Sequence, residues 1–64
     1  MKVLIVYEGA EYEGIVTGDL GAEELANEVA ECLSKGAAMR FGVEGGHVVF
    51  GPEAVRRLVV EVTA

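Results

Sequence analysis

Val3-Leu4-Ile5-Val6-Tyr7 is the longest unbroken apolar run in this chain, and no other stretch narrows the fold as much. Val3, Ile5 and Val6 are β-branched, so the run reads as a strand. Side chains of a strand alternate between two faces, which puts Val3, Ile5 and Tyr7 on one side and Leu4 and Val6 on the other. Both sides are apolar, the pattern of a central strand covered twice. The run is far shorter than the roughly 20 residues needed to cross a bilayer. The constraint is therefore to find two covers for this strand within a chain of 64 residues.

Residues 21–35, GAEELANEVAECLSK, supply one cover. Ala22, Leu25, Ala26, Val29 and Leu33 recur at helical spacing, while Glu23, Glu24, Asn27, Glu28, Glu31 and Ser34 fall on the opposite side. Gly21 stands at the N-cap with Glu24 three residues on, and acids in the first turn suit the positive end of the helix dipole. Lys35 and Gly36 mark the C-terminal stop.

The remaining segments read as strands. Residues 2–8 form the first, Gly9-Ala10 turns the chain, and residues 11–17, EYEGIVT, form a weaker partner interrupted at Gly14. Tyr7 and Tyr12 then face each other. Residues 37–43 and 47–51 form a second hairpin about Gly45-Gly46, with Phe41 opposite Phe50 and Val43 opposite Val48. That places Phe41, Val43, Val48 and Phe50 in the core under the helix, and Arg40, Gly42, His47 and Val49 on the far face. Residues 52–56 form a short helical turn with Val55 as a plug, and residues 58–62 form a last strand. The expected fold class is α+β, a single helix packed on a mostly antiparallel sheet in the order β-β-α-β-β-β. Residues 1–64 make a single domain.

One helix covers one sheet face. Leu4, Val6, Val49 and Val59, with Ile15 beside them, are left on the other. Contiguous exposed apolar area marks an interface, so a homodimer or a docked partner is expected there.

Charge and motif content exclude several functions. Eleven acids against five bases give a formal net charge of −6. This disfavours nucleic acid and anionic membranes, both of which need clustered Lys and Arg. The single cysteine, Cys32, allows no internal disulfide, and no Cys/His cluster indicates zinc. Cys32 next to Leu33 reads as packing at the edge of the buried face. Cys32 and His47 are the only nucleophile and base candidates, without an orienting third group or oxyanion site. No catalytic residue, metal ligand or cofactor site is therefore assigned, and the chain is expected not to be an enzyme. Gly42, Gly45 and Gly46 do not have phosphate-loop spacing. Arg40, Arg56 and Arg57 could gather into a basic spot for an acidic partner or a nucleotide. The N-terminal stretch lacks the apolar core and cleavage site of a signal peptide, so a cytoplasmic location is expected.

In size and acidic, Ala/Val/Gly-rich composition the chain resembles small orphan proteins of high-GC actinobacteria and their bacteriophages. The resemblance covers gross architecture only, and no functional residue is carried over from it. Small size, missing catalytic motifs, excess apolar surface and strong acidity lead to the expectation of a non-enzymatic protein–protein interaction protein, homo-oligomeric or, as the resemblance implies, acting on a host protein. The alternatives are an acidic nucleic-acid mimic using Glu23, Glu24, Glu28 and Glu31, an antitoxin-like regulator, and a small-ligand (nucleotide) binding module at Arg40 and Arg57.

Overall fold

A computed structural model describes all 64 residues. Five strands and two helices follow one another as β1 (Lys2–Tyr7), β2 (Ala10–Gly14), α1 (Ala22–Ser34), β3 (Met39–Val43), β4 (Gly46–Phe50), α2 (Pro52–Val55) and β5 (Val59–Thr63). The strands form one antiparallel sheet in the order β4-β3-β2-β1-β5. The α+β class and the element order agree with the sequence pattern, and β1 holds an interior position between β2 and β5.

Both hairpins turn on a Glu-Gly pair. Glu8 and Gly9 take positive φ, 47° and 86°, and connect β1 to β2. Positive φ at both central positions is the mirror-image turn that matches the twist of a hairpin. Gly45, at φ 82°, follows Glu44 in the second turn. Tyr7 therefore pairs with Ala10 and Ile5 with Tyr12, correcting the expected Tyr7–Tyr12 pairing. Phe41 pairs with Val48 and Met39 with Phe50, correcting the expected Phe41–Phe50 pairing. Each register is displaced by two residues from the expectation. Side chains repeat with period two, so every residue keeps its face.

The two hairpins barely pair with each other. β2 and β3 share one bridge, Gly14 with Val43, extended by the Ile15 N–H donating to the Gly42 carbonyl at 2.8 Å. In a flat sheet with this register, Tyr7 and Phe50 would lie on opposite sides of the bridge, about 25 Å apart at ~3.3 Å per residue. Their ring centroids are instead 5.6 Å apart, and the Tyr12 ring is 6.1 Å from that of Phe50. The second hairpin is therefore folded across the inner face of the first, with its corner at Gly14 and Val43.

That fold makes the core. Val3, Ile5, Phe50 and Val55 are its buried residues. Tyr7, Tyr12 and Phe41 close around Phe50, and Val55 arrives from α2, which starts on Pro52 after the Gly51 cap. The inner cover of β1 is thus shared by the second hairpin, by α2 through Val55 and by α1 through Leu25 and Leu33. Phe41, Val43 and Val48 are half-buried. Helix α1 packs along β5 and presents Ala22, Leu25, Val29 and Leu33 half-buried, with none of its residues fully buried. Ala26 and Cys32, expected against the core, are exposed.

Gly14 sits where the corner is tightest. A Cβ there would stand 3.1 Å from Ile5 Cδ1 and 3.3 Å from Val3 Cγ1, whereas one at Gly42 would meet nothing within 4 Å. Gly14→Ala is expected to destabilise the fold by about 1–3 kcal/mol through overpacking. Gly42→Ala should stay within about 0.5 kcal/mol of the parent. Urea denaturation of the two variants side by side tests this; equal midpoints would contradict it.

Candidate functional site

The face of β1 that points away from the second hairpin is open, and its surroundings follow from register. On β1 the outward residues are Lys2, Leu4 and Val6. Leu4 lies between Glu13 of β2 and Glu61 of β5, and Val6 between Glu11 and Val59. Lys2 and Thr63 close one end, with the Thr63 hydroxyl donating to the Lys2 carbonyl at 3.4 Å. Directly opposed side chains in a sheet stand about 5 Å apart at Cβ, so each glutamate borders its apolar neighbour. The result is a short apolar strip, Leu4, Val6 and Val59, rimmed by three carboxylates.

Leu4 and Val6 are half-buried, and Val59 is 56% exposed. Glu11, Glu13 and Glu61 are exposed, and none takes part in a salt bridge. A carboxylate without a cation beside an apolar strip leaves both contributions available to another molecule.

The other sequence candidates lie apart from this strip. Val49, 66% exposed, is on β4 at the opposite edge of the sheet, paired with Arg40 on the outer side of the folded-over hairpin. Ile15, 56% exposed, is at the corner. The four expected interface residues thus divide into a cluster of three and a separate Val49.

The arginines are likewise not gathered into one spot. Arg57 Nη1 donates to Glu8 Oε1 at 3.1 Å, tying the end of α2 to the first turn. Arg56 is exposed after α2, and Arg40 is exposed on β3. Hydrogen bonding with Glu8 is the foremost influence raising the Tyr7 phenol above its ordinary value, with desolvation next. Cys32 is on the helix surface, and His47 is exposed on β4 opposite Gly42. No three His, Cys, Asp or Glu side chains are arranged to hold a metal ion. No helix is long and apolar enough to cross a membrane.

The glutamate rim escaped the sequence reading, although a signal for it was present. Glu11-Tyr12-Glu13 alternates, and once Tyr12 faces inward both acids must share the outer face with Leu4 and Val6. Glu61 joins them through the same alternation in Val60-Glu61-Val62. Compared with family models, curated proteins and solved structures, the chain matches none.

The Glu8–Arg57 pair is the one salt bridge in the molecule, and its side chains are 54% and 67% exposed. Exposed pairs contribute about 0–1 kcal/mol. Arg57→Ala is expected to lower stability by less than about 1 kcal/mol, and the difference should shrink in high salt. Chemical denaturation at two salt concentrations checks this; a larger, salt-independent loss would assign Arg57 a packing role instead.

Proposed function

We propose that this chain is a non-enzymatic binding protein that presents the Leu4/Val6/Val59 strip and its carboxylate rim to a basic surface on a partner protein. The observation that carries the reading is the register of β1 with β2 and β5, which encloses three apolar side chains in Glu11, Glu13 and Glu61. Interfaces combine a desolvated apolar centre with a polar rim, and complementary charge steers encounter and fixes register.

Surface area supports an unpartnered face. The chain exposes 4425 Å². A compact monomer of its mass would expose roughly 3,900 Å² by the usual scaling. The net charge of −6 favours a cationic partner. It weighs against the homodimer expected from the two-sided apolar pattern of Val3–Tyr7, because stacking this face on a second copy would bring the acid rims of both copies together. Like charges placed opposite one another in an interface are costly.

A basic partner is also what the acidic-mimic reading requires, but there the contact surface is α1, whose Glu23, Glu24, Glu28 and Glu31 are all exposed. The two surfaces respond to different substitutions. Val6→Asp adds negative charge while spoiling the apolar strip. If attraction were charge alone, it would strengthen binding; in the present reading it weakens binding at least about tenfold, the cost of disrupting an interface centre. The test immobilises the parent chain, Val6→Asp and the double variant Glu24→Lys/Glu28→Lys, and compares the basic proteins each retains from a cell extract at low and high salt. Loss with Val6→Asp and retention with the helix variant is expected. The opposite pattern would transfer the site to α1 and overturn the reading.

A further inference from the structure

The corner where the second hairpin folds over the first carries two adjoining clefts. One, of about 210 Å³, opens between α1 and the sheet and is lined by Val3, Val16, Thr17, Leu25, Val29 and Phe41, with no charged side chain. The other, of about 180 Å³, is lined by Glu13, Gly14, Ile15 and Glu44. Gly14 and Ile15 belong to both, so an apolar hollow and a two-carboxylate hollow meet at one residue pair. Neither Glu13 nor Glu44 has a cation partner in the chain.

We propose that this corner binds a partner segment carrying one large apolar side chain followed by a lysine or arginine; the proposal rests on the reading that the chain works by binding a basic protein, and adds how that partner is recognised. The apolar side chain fills the hollow under α1, against Leu25, Val29 and the Phe41 ring. The following cation lies between Glu13 and Glu44. Size selects such an occupant. A dry apolar cavity of about 150 Å³ admits a benzene ring. Pockets for free small molecules usually begin at about 300 Å³. A volume between those limits suits a single anchoring side chain. Charge selects the second residue, because an anionic or neutral one would leave both carboxylates without a counter-charge in a narrowed space. The Ile15 N–H is already committed to Gly42, so recognition here depends on side-chain packing and charge. Glu13 also belongs to the rim around Leu4, which makes the corner continuous with the outer strip.

The test is an NMR titration of the full chain with three short peptides whose central residues are Trp-Lys-Lys, Gly-Lys-Lys and Trp-Glu-Glu. Saturable shifts at Val29, Phe41, Gly42 and Ile15 are expected with the first peptide, and binding at least about tenfold weaker with the other two. Val29→Trp, which fills the hollow, and the surface pair Glu13→Gln/Glu44→Gln should each weaken the first peptide severalfold. The glutamine variant keeps the test informative if the tryptophan variant does not fold. Absence of saturable shifts, or equal binding of Gly-Lys-Lys, would overturn the proposal. Shifts centred on Leu4, Val6 and Val59 would overturn it too, while leaving the outer strip as the binding face. The Val6→Asp comparison is independent of this titration, so the two readings fail separately.

Discussion

The contact on which the rest of this molecule depends is the Phe50 ring set among Tyr7, Tyr12 and Phe41. Phe41 and Phe50 lie 6.0 Å apart in an edge-on arrangement, and the two tyrosines approach at similar distances. Aromatic pairs in tilted or edge-to-face geometry contribute about 0.5–1.5 kcal/mol each beyond the area they bury. Here they also hold together what main-chain hydrogen bonding does not. With one β2–β3 bridge and the Ile15–Gly42 hydrogen bond beside it, side-chain packing centred on these rings and Val55 holds the second hairpin against the first. Gly14 permits the arrangement by leaving room for Ile5 and Val3 at the bend. A chain too short for a large core thus concentrates its burial at one seam.

The same seam decides where chemistry remains available. Folding the second hairpin inward takes Val3 and Ile5 out of water, shields Tyr7 in part, and leaves Leu4 and Val6 on the outside. The strand with two apolar faces is covered once by its own chain. The other side is framed by the carboxylates of Glu11, Glu13 and Glu61, so exposed apolar side chains and negative charge lie next to one another there.

Much of this architecture was legible in the residues. The α1 pattern, the inward set Val3, Ile5, Phe41 and Phe50, and the element order follow from periodicity. They do not depend on the turn positions, because moving each turn by one residue shifts the pairing by two, and a shift of two leaves faces unchanged. The turns themselves were harder to place. Glu8 at φ 47° is an unusual residue for a left-handed position, and Gly45-Gly46 offered an apparently better turn than Glu44-Gly45. The folding-over of the hairpins was not legible at all, since it depends on ring contacts between residues some forty positions apart. The candidate site was legible in part: alternation gave Leu4, Val6 and Val59 their face and carried the signal for the acids, but only the pairing of β2 and β5 with β1 puts Glu13 and Glu61 on either side of the same leucine.

Strand order has a further consequence for how the chain comes into being. β1 is the first strand to be made and β5 the last, yet they are immediate neighbours, with Lys2 opposite Thr63. Until β5 is available, β1 lacks one of its two hydrogen-bonding partners and α1 lacks the strand it packs along. Growth on the ribosome therefore cannot lay this sheet down from one edge to the other. The most apolar segment of the protein must wait, half-paired, for the rest of the chain. The β1–β5 pairing joins residues as far apart in the chain as Lys2 and Thr63, and long-range pairings of this kind slow folding.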